Sequence, residues 1–517
     1  MEINVLDVKS RCATFEIASE SCYYAVSPVQ ATLNGKALAE YTTNVFTLFS
    51  LTPGTDYSLE LRGESGEARI EFRTGEETAC LDVTAFGAVA DGQADCTAAI
   101  TAALACCPAG GTVYFPKGIY QTSTVFLKSN VQLYLEQGAE LKAWPQRERF
   151  AVLPGLLDTT APRETSNLGT WEGDPVDCFA AVVTGIGIKG ASIAGQGVVD
   201  GAGCDGDWWV DPTKKRGAWR ARTLFLNGCE DISVVGITVR NSPSWTIHPY
   251  YCSRIQFYDI SVQNPGVSPN TDGINPESCH DVKIIGARIS VGDDCIAIKS
   301  GRQGIAKRYP RSSRGIQVRN CLLERGHGGV VMGSEIACGV HDVRIQQCYL
   351  RGTDRGLRVK TQRGRGSLSV VSDIRFENVT MERVQTAFSI NMYYYWGPDG
   401  HSNYVQSREK APVDERTPQV KTLYCKNIRC TECEVAGAFF LGLPEMPIGG
   451  VHMEDVSLSF DENAKPGEPI MADGVEQISG LGICAENMED LTLIRVTFQN
   501  QKGEPVQTRN VAHYQCQ

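Results

Sequence analysis

The sequence predicts an all-β protein, a parallel β-helix preceded by a small antiparallel β-sandwich. Three observations carry this reading. A short pattern of apolar, polar and apolar residues followed by a turn recurs along most of the chain; residues 1–76 alternate apolar and polar positions in short runs; and only one stretch, Asp95–Cys107, reads as a helix.

The N-terminal runs include Leu51-Thr-Pro-Gly-Thr-Asp-Tyr57, a turn between two candidate strands. Residues 1–76 are therefore assigned to the sandwich and 77–517 to the solenoid. The Leu-x-Pro-Gly-Thr-x-Tyr run resembles fibronectin type III domains. After Phe86-Gly-Ala, the Ala-rich stretch Asp95–Cys107, closed by Pro108, is predicted to be a helix with Asp95 as its N-cap, placed over the open first coil of the solenoid.

Beyond the helix come Gly111-Thr-Val-Tyr-Phe and Val131-Gln-Leu-Tyr-Leu, and then the repeat. Its copies begin at Ile232, Ile255, Val282, Ile316, Val343 and Ile374, spaced 23 to 34 residues apart, with further copies near Leu423, Val451 and Leu491. One β-helix coil has about this length, whereas a propeller blade needs four strands in about forty residues. Long excursions at 145–180 and 391–420, rich in Trp, Tyr, Gly and Pro, are expected to wall a groove and carry specificity.

With 517 residues, 42% hydrophobic and 21% charged, and no run of eighteen apolar residues, the chain reads as a soluble protein without a membrane span. The net charge of −11 argues against a nucleic-acid partner, although an acidic protein can still carry cations in a cleft. The start, Met1-Glu-Ile-Asn-Val-Leu, lacks a basic region followed by an apolar one, so a cytoplasmic location is expected. The twenty Cys are expected to be reduced and mostly buried; Cys425, Cys430 and Cys433 lack the second pair that a zinc site needs, and no metal or cofactor is predicted.

Four short motifs fall in successive coils: Asn270-Thr-Asp-Gly273, Gly292-Asp-Asp294, Gly326-His-Gly328 and Arg358-Val-Lys360. Singly each is weak. Their spacing, 21 residues from Asp272 to Asp293 and then 34 and 31 to His327 and Arg358, is that of consecutive coils and predicts one pocket. Glycoside cleavage needs an acid for the leaving oxygen and a base for water, and clustered carboxylates raise at least one pKa. On a regular strand Asp293 and Asp294 would point to opposite faces, so both reach the groove only if the chain turns, which Gly292 would permit. Arg358 and Lys360, two apart on a strand, share a face and suit a sugar carboxylate.

Together with the repeat and Phe86-Gly-Ala, these motifs resemble glycoside hydrolase family 28, the polygalacturonases, over roughly residues 80–517. The resemblance implies a right-handed β-helix, metal-independent inverting hydrolysis and a galacturonan substrate, polymer or oligomer. It implies Asp293 as general acid, Asp272 and Asp294 as the groups that position and activate water, His327 as support for the acid, and Arg358 and Lys360 as carboxylate ligands, with Asn270 beside them. Family members also use a tyrosine beyond the Arg-x-Lys motif, for which Tyr393, Tyr394 and Tyr395 compete. The family often has Ile where this chain has Val359, a position expected to face the core. Exo-action on short oligogalacturonates is expected. The alternatives are a hydrolase of rhamnogalacturonan or another pectic backbone, a calcium-dependent lyase, and a non-catalytic carbohydrate-binding β-helix.

Overall fold

In the computed structural model, which describes residues 1–156 and 167–517, antiparallel strands fill the N-terminal part and parallel strands nearly all the rest. Residues 157–166 of the first predicted excursion lie outside the described residues. Strands Glu2–Val8, Ala13–Ala18 and Val45–Leu48 form one antiparallel sheet. Tyr24–Leu33, Asp56–Gly63 and Gly66–Arg73 form most of a second. Phe15, Leu59 and Leu61 are wholly buried in a core to which both sheets contribute. Gly54 adopts φ +61° in the predicted turn, and the Tyr57 hydroxyl accepts from the Thr52 N–H at 2.9 Å.

The helix spans Thr97–Cys106 and starts later than the sequence suggested. Asp95 still serves its first turn, because its carboxylate accepts from the Thr97 N–H at 3.0 Å and from the Thr97 hydroxyl at 2.6 Å. Ile100, Ala103 and Leu104 seal the end of the main core.

From Cys80 onward, apart from the short antiparallel pair Val152–Leu153 and Cys178–Phe179, the strands pair in parallel, coil upon coil, in three ladders. The predicted repeat forms the first. Ile232, Ile255, Val282, Ile316, Val343, Ile374, Leu423, Val451 and Leu491 pair one to the next in a single column. None is more than 1% exposed. Burying each side chain of such a stack contributes roughly 1.5–3 kcal/mol. The turn that ends each copy is equally regular. The residue four positions after each column member, from Gly236 to Arg495, is left-handed, and it is Gly, Asn or Asp in all but Gln347 and Arg495. Gly, Asn and Asp tolerate that conformation best.

Each coil then passes through a short second-ladder strand, such as Arg288–Ser290, and a turn into a third-ladder strand, such as Ile296–Ile298. That second turn builds the site. The sandwich docks on the other corner, where Val45 and Phe49 meet Tyr134, Val235, Tyr258 and Ile285. Glu16 accepts from Arg319 at 2.7 Å and from Asn320 at 2.8 Å. All twenty cysteines are free; Cys425, Cys430 and Cys433 are buried on one ladder strand and form no ligand set.

Candidate active site

The turns between second and third ladders stack through backbone hydrogen bonds. The Gly273 N–H donates to the Asp294 carbonyl at 2.9 Å, the Cys295 N–H to the Gly328 carbonyl at 2.8 Å, and the Gly329 N–H to the Arg355 carbonyl at 2.8 Å. Asp272, Asp293–Asp294 and His327 therefore sit in three successive turns, and Arg358 and Lys360 on the next third-ladder strand, Arg355–Lys360. Carboxylate oxygens of the three aspartates come within 4.8 Å of one another.

The glycines of these motifs act by size rather than by a left-handed backbone. A Cβ on Gly292 would lie 2.5 Å from the Ser268 carbonyl oxygen and 2.7 Å from that of Pro265. One on Gly326 would lie 2.6 Å from the Asp293 carbonyl oxygen. The expectation that Gly292 supplies turn freedom is thus replaced by close approach, since its φ is not positive.

Each carboxylate has a cationic neighbour. Lys360 Nζ lies 2.6 Å from Asp294 Oδ2 and Arg358 Nη1 3.4 Å from Asp294 Oδ1. His327 Nδ1 lies 3.4 Å from Asp293 Oδ1, and Lys299 Nζ 3.7 Å from Asp272 Oδ2. Asn275 donates to Asp272 at 2.9 Å. Arg358 Nη1 also donates to the His327 carbonyl at 3.5 Å, whereas Nη2 lies 3.0 Å from a thioether, Met471 Sδ, so no strong acceptor holds that end of the fork.

Burial, reinforced by the negative charge of Asp293, pushes Asp272 up to about 8. Burial acts the same way on Asp293, but the hydrogen bond and charge of His327 overcome it and hold Asp293 at about 2. The same hydrogen bond, against burial, raises His327 to about 9. At neutral pH one proton thus resides on Asp272 and another on the Asp293–His327 pair. The sequence argument required a raised carboxyl; in this geometry it is Asp272, while Asp293 shares its proton with the imidazole.

The three candidate tyrosines separate cleanly. The Tyr394 ring stands 5.6 Å from the Arg358 guanidinium carbon and 5.3 Å from Lys360 Nζ, and it lines the cavity. Tyr393 is 0% exposed and packs in the core against Arg363 and Arg408, so its substrate-binding assignment is corrected. Tyr395 belongs to the neighbouring cavity and donates to Glu468 at 3.2 Å. Asn270 lines the site with its side-chain oxygen accepting from Arg220 at 2.5 Å. Arg355 begins the Arg-x-Lys strand, and Arg363 is buried in an ion pair with Glu445 at 2.6 Å. Val359 is fully buried, as expected.

Lys299 and Glu335 were missed. They pair at 2.9 Å in the wall of the chamber, with Lys299 Nζ 4.5 Å from the Trp245 ring centre. A lone Lys ending the apolar run Cys295-Ile-Ala-Ile was the available signal for the first; nothing in the sequence marks Glu335. The catalytic chamber has a volume of about 420 Å³, and Glu172 and Trp396, one from each long excursion, line it.

Comparison with known proteins places this geometry in context. The profile described as Glycosyl hydrolases family 28 matches residues 163–467, and that of Rhamnogalacturonase A/epimerase, pectate lyase-like, matches residues 80–146. A probable polygalacturonase of Vitis vinifera is 28% identical over 388 residues, 74% of each chain. An exopolygalacturonase of Arabidopsis thaliana is 27% identical over 403 residues, 76% of this chain and 79% of the relative. The structure of a family 28 exopolygalacturonase from Yersinia enterocolitica superposes with a TM-score of 0.70 at 19% identity, covering 99% of this chain and 98% of that one. That similarity establishes the shared fold.

Proposed function

The chain belongs to glycosyl hydrolase family 28 and is a glycoside hydrolase, and from that premise we propose that it hydrolyses α-1,4 bonds of pectic galacturonan with inversion, acting from the end of short oligogalacturonates. The observation that carries the substrate assignment is Arg358. This residue, 5% exposed at the chamber wall beside Lys360 and Tyr394, has one guanidinium nitrogen against only a thioether. A uronate carboxylate supplies the acceptor that this fork lacks.

In this reading the Asp293–His327 pair holds the proton that the leaving oxygen takes, delivered from Asp293. Asp272 and Asp294 hold water between them; as the proton goes to the leaving group and the glycosidic C–O bond breaks, the water attacks the anomeric carbon and gives its own proton to the Asp294 carboxylate. The oxygens lie closer than the roughly 6.5–9.5 Å that usually separates an inverting pair. Inversion here rests on dividing the work among three carboxylates, with Asp294 tied to Lys360 and poorly suited to act as a nucleophile. The two excursions bordering the chamber, and relatives named exopolygalacturonase in Arabidopsis thaliana and Zea mays, support end-on action.

Proton magnetic resonance of products from defined oligogalacturonates tests this. The β-anomer should appear first, with monomer or dimer released from the earliest time. An initial α-anomer would contradict inversion, and random mid-chain cleavage would contradict exo-action. Faster cleavage of rhamnogalacturonan oligomers would move the assignment to that backbone.

A further inference from the structure

A second cavity of about 550 Å³ adjoins the catalytic chamber, and Glu172, Pro212, Thr213, Asn270 and Trp396 line both. Its chemistry differs from that of the chamber. One Arg and one His among the described residues line it, and both already face carboxylates. Arg302 donates to Asp174 at 2.9 Å and to Glu172 at 3.0 Å, and His401 lies 2.9 Å from Asp473. Arg302 thus faces two carboxylates, and Asp174 keeps 42% of its side chain exposed. No counterpart of the Arg358 fork is present on these walls.

Four further lining residues, Trp171, Trp219, Tyr395 and Trp396, are aromatic. Trp219 stacks on Trp171 with ring centres 4.8 Å apart and planes within 8°. Tyr395 contributes a third ring, and Trp396, 49% exposed, stands where the two cavities meet. An aromatic face takes the apolar C–H side of a pyranose, and carboxylates accept from its hydroxyls. A uronate placed here would set its own carboxylate against Asp174 and Glu172, which already share Arg302 between them, and like charges at close range repel.

We propose that this second cavity is a subsite for an uncharged sugar residue, a methyl-esterified galacturonate or a neutral pyranose, with Trp396 as its platform, next to the galacturonate held at Arg358. The proposal rests on the galacturonan reading above and refines its substrate to partly neutral pectic oligomers. Specificity then comes from opposite preferences at adjoining positions, a free carboxylate at one and none at the other.

The test compares kcat/KM for trigalacturonate with that for each of its three singly methyl-esterified isomers. One isomer should be cleaved faster than the free acid, by about tenfold, and the isomer esterified at the Arg358 position more slowly. Asp174→Asn should reduce the preference for the favoured isomer by raising activity on the free acid. Trp396→Ala should lower kcat/KM for the favoured isomer about five- to tenfold more than it lowers that for the free acid, the scale of one lost ring contact. A free acid cleaved as fast as or faster than every isomer, or a preference untouched by both variants, overturns the proposal alone. Cleavage of none of the four, by an enzyme active on another pectic backbone, overturns the galacturonan reading and this refinement with it.

Discussion

The Asp293–His327 pair is where the pH dependence of this site originates. His327, raised to about 9 by its hydrogen bond to Asp293, keeps the pair's proton below that pH and releases it above. Asp272, raised to about 8 by burial, loses its own slightly earlier. The pH profile of kcat/KM should therefore fall on the alkaline side near pH 9, where the pair gives up the acid proton. In His327→Gln the acid proton must reside on Asp293 alone, where burial favours it but the charges of Lys360 and Lys299 oppose it. The alkaline limb should move to lower pH, and a limb that stays in place would show that His327 does not hold the proton. The motifs marked these residues for the groove, where the structure places them, because each lies in a turn where a polar side chain can face it. The choice among Tyr393, Tyr394 and Tyr395 was not legible: it depends on how the chain leaves the strand ending at Asn391, and three identical neighbours carry no signal for that.

At the scale of the element, the coil repeat was readable to the residue. The apolar column predicted from Ile232 to Leu491 is the observed register, since an inner position repeated at coil spacing can be satisfied only by stacking it on its counterparts. The turns were less legible. Gly292 was expected for its backbone freedom, but what excludes a side chain there is the neighbouring turn, contributed by residues 265–268 of the preceding coil. Contacts between coils are invisible to a reading of one coil at a time. Gly292→Ala should accordingly push the Asp293–Asp294 turn away from Asp272 and lower kcat by at least tenfold, the order of loss expected when reacting groups shift by a fraction of an ångström. The circular-dichroism spectrum of the β-helix should be unchanged. Activity equal to that of the parent would show that the close approach does not position the carboxylates.

For the molecule as a whole, the sandwich behaves as part of the solenoid's wall. Val45 and Phe49 press on the corner turns so closely that a Cβ on Gly236 would meet Phe49 at 2.2 Å and one on Gly286 would meet Val45 at 2.5 Å. A chain begun at residue 77 would expose Tyr134, Val235, Tyr258 and Ile285 and leave Arg319 without Glu16. It should unfold at a temperature lower by several degrees in a thermal scan, and an unchanged midpoint would make the sandwich an independent appendage. This docking could not be read from sequence, because the sandwich and the solenoid meet through residues far apart in the chain. The central claim is that successive coils bring Asp272, Asp293 and Asp294 together for acid–base hydrolysis. The most direct measurement is the turnover of trigalacturonate by Asp293→Asn alongside its binding affinity. The account predicts a kcat lower by about a thousandfold or more, an order set by the loss of a general acid, with affinity within a few-fold of the parent; turnover at the parent rate would contradict it.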